Sequence, residues 1–167
     1  MRTALDADRD KLDAAERNFV DSIREHGWFA THVMGAGEHL AFSYTTGFTS
    51  SLRKPEVLLH SLRQDLAHQV LWDVFRDLQA GKILPLGRPI EDILGNHRAC
   101  FFQVSPRHYP DHLGWNRWFY GGDGFECLQL VWPDRDDVFP WEAGFDEKMR
   151  ADQVDLTVGG WLGELGR

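Results

Sequence analysis

Hydrophobic residues near the N-terminus recur at the spacing of one helix face. Leu5, Leu12, Phe19, Val20 and Ile23 follow this period, while charged residues occupy the other positions. The pattern predicts an amphipathic helix over residues 5–26. Gly27 follows as the expected end, because glycine adopts the left-handed conformation at low cost.

A second apolar stripe predicts a longer helix from about Leu62 to Ala80. Ser61 and Gln64 fit a capping box, in which each side chain accepts a hydrogen bond from a free backbone N–H, and Gly81 ends the helix. The stripe that this helix would bury consists of Leu66, Val70, Leu71, Val74, Phe75 and Leu78.

Shorter runs follow the two-residue period of strands, or are continuously apolar. The first two runs are joined by "GAGEH", which suits a hairpin loop, and the third is apolar throughout and therefore predicts a central strand. The five predicted strands are "WFATHVM" (28–34), "LAFSYTTGF" (40–48), "EVLLHS" (56–61), "ACFFQV" (99–104) and "FECLQLVW" (125–132).

The remaining segments complete an α+β prediction. Residues 83–98 look irregular, and Ser105-Pro106 predicts a short helix that ends near Gly114. A hairpin followed by strands and helices in alternation favours one α+β domain, with a mixed or antiparallel central sheet on which the N-terminal helix and the second long helix pack. We divide it into the N-terminal helix (1–26), the core (27–145) and a C-terminal extension (146–167).

Composition excludes several classes of protein. The net charge of −8 argues against a nucleic-acid partner, which would require a basic surface. No apolar run is long enough for a membrane span and no secretory signal is visible, so we expect a cytoplasmic protein without a membrane partner. Cys100 and Cys127 lie in apolar stretches and are expected to be buried thiols.

Three runs in order carry a family resemblance: "FSYTTGFTSSLRKPEVLLHSL", "DLQAGKILPLG" and "ECLQLVWPDRDDVFPWEAGF". Together they resemble the bacterial family known as domain of unknown function 4262, over roughly residues 26–145. The resemblance implies a soluble, single-domain α+β protein and no established activity. His60 stands where relatives often carry a small residue, which implies a different ligand if that position faces a cleft.

Hydroxyl groups gather at the predicted end of the second strand. Tyr44 and Thr46 precede Gly47, where the backbone can approach a ligand closely, and we name both as candidate ligand-binding residues. A strand that ends in a turn with satisfied hydroxyls would give the same pattern.

The polar loop 106–124 holds further candidates. Arg107 could hold an anion, and Asp123 would lie at the mouth of a strand. His108 and His112 are four residues apart and could share a helix face, which gives a weak alternative of a metal site with Asp111 or Asp123 as a further ligand. The motif lacks the glutamate of a zinc protease, so we predict no metal and no cofactor.

The block "LQLVWPDRDDVFPWEAGF" (128–145) ends the last predicted strand. Gln129 is polar on a strand face that is otherwise apolar, and must find hydrogen-bond partners. We add Gln129, Trp132 and Trp141 to the candidate ligand-binding residues. Asp134 is expected to turn the chain, and Asp136 and Asp137 to be solvated.

These features leave two functions open. A non-catalytic binding protein, of the regulatory or toxin-neutralising type, would use its acidic charge to attract a basic partner and the aromatic loop 115–120 to anchor it. A small-molecule hydrolase or other acid–base enzyme would use His60 or Asp123 as proton acceptor, with Arg107 on an anionic group. The partner is therefore an unidentified protein or small molecule, and we favour binding.

Overall fold

A computed structural model, which describes residues 1–166, contains one six-stranded mixed sheet. Its order is β1-β2-β3-β6-β5-β4, and every neighbouring pair is antiparallel except β3 and β6. The strands are β1 (Phe29–Val33), β2 (Phe42–Thr46), β3 (Glu56–His60), β4 (Ile90–Leu94), β5 (His97–Gln103) and β6 (Cys127–Val131). The α+β prediction is confirmed, and β3 is a central strand as expected.

Five α-helices and several 3₁₀ turns accompany the sheet. The helices are α1 (Ala14–His26), α2 (Phe48–Leu52), α3 (Gln64–Gln79), α4 (Tyr109–His112) and α5 (Gly114–Tyr120). The 3₁₀ turns cover Ala4–Asp6, Arg9–Lys11, Pro106–His108, Glu147–Asp152 and Leu162–Glu164.

The sheet is covered on both faces. The apolar stripe of α3 packs on one face, against Leu128 and Leu130 of the last strand and Trp132 after it. Leu66 was wrongly included in this stripe: it is 44% exposed, and Ala67 is the buried residue of the first turn. Helices α1, α4 and α5 pack on the other face, where Cys127 lies. Neighbouring residues of β6 therefore face opposite sides of the sheet, as the two-residue period of a strand requires.

The N-terminal helix is shorter than predicted. The apolar period continues through residues 5–12, but these residues form the first two 3₁₀ turns. Helix α1 begins after Asp13, whose side chain accepts a hydrogen bond from the backbone N–H of Glu16 at 2.8 Å. Its end at Gly27 is as predicted, with φ of 87°.

The predicted capping box at Ser61 is wrong. Helix α3 begins at Gln64, and no side chain caps it. Ser61 has φ of 59°, and its hydroxyl donates to the backbone oxygen of Asp152 at 2.6 Å. A long-range contact with the C-terminal segment has replaced the local cap.

One other local prediction was also wrong. Residues 83–98 include β4, which pairs with β5 through a register irregularity. The short helix that begins at Pro106 ends at His112, near Gly114 as predicted, but a further helix, α5, follows to Tyr120 and was not predicted. Both cysteines are buried free thiols, as predicted, and no helix among residues 1–166 is long and apolar enough to cross a membrane.

Candidate functional site

A buried carboxylate explains the hydroxyl-rich end of β2. Glu56 opens β3 and is fully buried. Burial raises the pKa of Glu56, and the hydrogen bonds that it accepts oppose this rise. The donors are the backbone N–H groups of Gly47, Phe48 and Thr49 at 3.0, 3.2 and 3.1 Å, and the hydroxyls of Thr45 and Tyr120 at 2.6 and 2.5 Å.

We call Glu56 and these five donors the Glu56 clamp. The carboxylate satisfies the first N–H groups of α2 and ties β2 to β3 and α5. Gly47 has φ of 115°, and a Cβ there would lie 2.5 Å from the backbone oxygen of Gly27. The close approach expected at Gly47 is therefore made by the chain itself.

Thr46 is also turned into the interior. It is buried, and its hydroxyl donates to the side-chain oxygen of Asn116, which is buried as well. The amide nitrogen of Asn116 has no hydrogen-bond partner within residues 1–166. These contacts connect the end of β2 to α5, and give Thr46 a structural role in the described fold.

Gln129 fastens the C-terminal segment to the sheet. Its amide nitrogen donates to the backbone oxygen of Val154 at 2.6 Å, and its oxygen accepts from the N–H of Leu156 at 3.3 Å and the indole of Trp161 at 3.2 Å. The His60 ring lies beside it, with Nδ1 3.4 Å from the same amide nitrogen. Gln129 thus has the partners that its buried position requires.

His60 is buried and held neutral. Burial, together with nearby His112, lowers the pKa of His60 to about 4. Trp132 donates its indole N–H to the backbone oxygen of His60 at 2.9 Å. The geometry thus gives these predicted site residues packing and hydrogen-bonding roles.

The residues 128–145, which we call the "WPD" block, include the tight turn that follows β6. Asp134 is buried, and its two oxygens accept from the N–H groups of Asp136, Val138 and Asp146. Burial opposes ionisation, yet these bonds lower the pKa of Asp134. Trp141 stacks on Phe139, with ring centroids 4.8 Å apart.

Asp136 is exposed as expected, whereas Asp137 is not simply solvated. Asp137 pairs with Arg98 at 2.7 Å and accepts from its backbone N–H at 2.9 Å. These contacts with Arg98 lower the pKa of Asp137.

The two remaining polar residues of the predicted site, Arg107 and Asp123, have different partners on the surface. Arg107 is exposed, and its Nε lies 3.3 Å from Nε2 of His108. Asp123 pairs with Arg117 at 2.7 Å and lines a polar cleft of about 620 Å³ with Lys54.

The two histidines of the weak metal-site alternative lie on α4 and on the 3₁₀ turn before it. His108 and His112 have ring centroids 6.0 Å apart, and Nδ1 of His112 donates to the backbone oxygen of His108 at 3.0 Å. Residues 1–166 contain no group of three or more His, Cys, Asp or Glu placed to hold a metal ion. Burial lowers the pKa of His108.

A cleft of about 730 Å³ gathers the most distinctive chemistry on the surface, and we call it the acidic cleft. It lies between the start of α1, the β1–β2 hairpin and helices α4 and α5. Tyr44 and His112 are the predicted site residues that line it. Its carboxylates are Asp13, Glu16 and Asp111, and its main apolar and aromatic residues are Val33, Met34, Leu40, Phe42, Pro110, Trp115 and Trp118.

Aromatic packing gives the acidic cleft a fixed wall. Trp115 stacks on Phe19, with ring centroids 4.5 Å apart, and Trp118 meets Trp115 edge-on at 5.4 Å. The backbone N–H of Trp115 donates to the Tyr44 hydroxyl at 3.2 Å. Burial raises the pKa of Tyr44, so the phenol stays neutral and polar at the cleft floor.

Among the carboxylates of the acidic cleft, Asp13 is close to the charge of Arg17, which lies outside the lining. Glu16 is close to Asp13, and the contact between their side chains raises the pKa of Glu16, while hydrogen bonds from Glu16 lower the pKa of Asp13. The described lining of the cleft includes no lysine or arginine. A bound cation would therefore relieve the repulsion between the two acids.

Sequence reasoning identified only part of this cleft. Loop 115–120 was predicted to be an aromatic anchor, and Trp118 is 37% exposed and Trp115 half-buried within it. Asp13 and Glu16 were missed, since Asp followed three residues later by Glu is also the ordinary start of a helix. Met34, 80% exposed, was assigned to a strand end.

Comparison with known proteins agrees with the family resemblance. The model of a family described as a domain of unknown function (DUF4262) matches residues 22–146. This range begins within α1 and ends after the "WPD" block. Searches of curated proteins and of solved structures found no match to the chain.

Proposed function

The chain belongs to the DUF4262 family, and we propose that it is a non-catalytic binding protein that recognises a basic segment of another protein through the acidic cleft. The observation that carries this proposal is the placement of three carboxylates against aromatic walls with no lysine or arginine in the lining.

Carboxylates and aromatic rings together suit a lysine or arginine side chain. The carboxylate attracts the charged end, the ring face attracts the same charge, and the methylene groups pack on apolar surface. Asp13, Glu16 and Asp111 supply the first part, and Trp115 and Trp118 supply the second. The net charge of −8 would also speed the approach of a basic partner.

The rim of the cleft supports a macromolecular partner. Met34 is 80% exposed and Trp118 is 37% exposed, and both lie in the lining. Exposed methionine and tryptophan are common at protein interfaces. A small molecule would bury less of this surface than the segment of a protein chain.

Catalysis has less support from the geometry. An acid–base enzyme needs its polar groups around one reacting centre. His60 is buried against Gln129, Asp123 pairs with Arg117 at another cleft, and Arg107 is exposed. The residues proposed for proton transfer and anion binding therefore lie in separate environments.

A selection experiment tests the proposal. A random peptide library displayed on phage is selected against the immobilised wild-type protein and against the Asp13→Asn, Glu16→Gln, Asp111→Asn triple variant. Asn and Gln keep the size of these side chains, and Asn caps a helix as well as Asp does. We expect the wild type to enrich peptides rich in lysine and arginine, and the variant to bind them roughly tenfold more weakly, as befits the loss of several exposed ion pairs.

A matched control removes the same charge elsewhere. Glu91, Asp92 and Asp136 are exposed and outside the acidic cleft. The Glu91→Gln, Asp92→Asn, Asp136→Asn variant should enrich the same peptides as the wild type. Equal losses in the two variants, or enriched peptides without basic residues, would overturn the proposal.

A further inference from the structure

Strand β1 presents a free edge of the sheet. It pairs with β2 on one side, and no hydrogen bond among residues 1–166 uses the backbone of its other side. Such an edge carries a row of unpaired N–H and C=O groups that can pair with another chain. Between its ends Phe29 and Val33, β1 contains no charged residue, proline or bulge.

The opposite edge of the sheet is protected. Strand β4 pairs with β5 through a register irregularity, and Asp92 within it has φ of 71°. Glu91 and Asp92 are both exposed. Bulges and charges are the usual devices that prevent a strand from pairing with a second chain, and β1 lacks them.

A groove of about 500 Å³ follows the free edge of β1, and we call it the edge groove. Its lining includes four successive residues, Phe29 to His32. Neighbouring residues of a strand point to opposite faces of the sheet, so four in a row can line one groove only if it runs along the strand edge. Asn18 of α1 and Gln64 of α3 form the two walls.

The edge groove is continuous with the acidic cleft. Thr31, Met34 and Trp115 line both. The hydroxyl oxygen of Thr31 is buried and has no hydrogen-bond partner in the described chain. A strand in the groove would direct every second side chain towards the face that holds the cleft.

We infer that β1 is the docking edge for an extended segment of a basic partner, which adds a seventh strand to the sheet and directs alternate basic side chains into the acidic cleft. This inference rests on the proposed function, and adds the main-chain geometry of binding to it. Charge decides against a second copy of the chain as the occupant, because two molecules of net charge −8 repel each other.

Backbone methylation of the bound peptide tests strand addition. A basic peptide recovered by the display selection is synthesised with one N-methyl group at each position in turn, and its Kd for the wild type is measured by titration calorimetry. Methylation removes a donor and blocks close approach. We expect alternate positions to weaken binding at least tenfold and the intervening positions to change Kd less than twofold, because alternate N–H groups of a strand face its neighbour.

Amide hydrogen exchange gives a second measurement on the protein. Adding the unmethylated peptide should slow exchange at alternate amides of residues 29–33 and leave β4 unchanged. If a basic peptide binds, but neither the Kd values of the methylated peptides nor the exchange of residues 29–33 changes at alternate positions, strand addition is overturned and the proposed function stays intact. Recovery of no basic peptide would overturn both, and a dimer of the free protein that dissociates on peptide binding would assign the edge to a second copy.

Discussion

Replacing Glu56 by glutamine tests whether the Glu56 clamp stabilises the fold as its geometry indicates. Glutamine has the same shape as glutamate but carries one amide nitrogen, which cannot accept a hydrogen bond. If the nitrogen takes the place of Oε1, the N–H of Thr49 loses its acceptor, and that of Gly47 keeps only the Tyr120 hydroxyl at 3.3 Å. If it takes the place of Oε2, the N–H of Phe48 loses its acceptor. Either orientation leaves at least one buried or partly buried donor unsatisfied.

The expected cost follows from that unpaired donor. A buried N–H without an acceptor costs about 1–3 kcal/mol, and this holds whether Glu56 is ionised or protonated in the wild type. Urea unfolding followed by tryptophan fluorescence would measure the loss. A thermal scan should show a decrease in Tm of about 2–4 °C for each kcal/mol in a domain of this size.

Glu91→Gln is the matched control. It makes the same chemical change at an exposed position of β4, and we expect its unfolding free energy to stay within about 0.5 kcal/mol of the wild type. The reasoning would be refuted if Glu56→Gln were as stable as Glu91→Gln. That result would mean that water or a local shift supplies the missing acceptor.

Three further predictions concern Gly47 of the clamp and buried groups elsewhere in the fold. Gly47→Ala should lower the free energy of unfolding, measured in urea, by at least about 1–3 kcal/mol, because φ is 115° and the new Cβ would lie 2.5 Å from the backbone of residue 27. Gly114→Ala is the control: Gly114 has open space around it and no positive φ, so the free energy of unfolding should change little. The pKa of His60 is lowered from 6.5 to about 4 in the folded protein, so the folded protein binds this proton only at a lower pH than the unfolded chain does. The contribution of His60 to the free energy of unfolding is therefore complete above about pH 6.5. It decreases by about 3 kcal/mol as the pH falls towards 4. The pH dependence of unfolding should be flatter in His60→Gln over this range, and identical curves would contradict the assignment. Burial raises the pKa of Cys100 to about 12 and that of Cys127 well above its usual range. Both thiols should therefore react with a thiol reagent only after the protein is unfolded. A fast reaction in the native state would be inconsistent with their burial.

Periodic features of the sequence predicted much of the fold. Five of the six residues assigned to the apolar stripe of α3 are buried, because the pattern repeats over several turns on one surface, whereas Leu66 in the first turn is 44% exposed. Leu128 and Leu130 of β6 face α3, and Cys127 faces the other helices, as the two-residue period requires. Strand β4 was missed, since its two exposed acids and its irregular register interrupt the alternation. The first turns of the predicted N-terminal helix were wrong because a cap at Asp13 competes with the apolar period.

Contacts between distant residues explain why the candidate site was harder to predict. Glu56 reads as one polar residue at the start of an apolar strand, and nothing local indicates that Tyr120, 64 positions away, will donate to it. Gln129 was correctly expected to need partners, but these come from the C-terminal segment. The residues with the most distinctive sequence pattern therefore make their contacts with other parts of the fold.

The acidic cleft draws two of its carboxylates from residues outside the range that the family model matches. The Glu56 clamp and Gln129 lie within residues 22–146, which the family model matches, whereas Asp13 and Glu16 precede this range. The two carboxylates reach the cleft because α1 packs on the sheet through Phe19, whose ring stacks on Trp115. A change of charge at the start of α1 would therefore alter the cleft without disturbing the clamp. All six strands lie within the matched range, while the charge of the cleft depends in part on residues outside it.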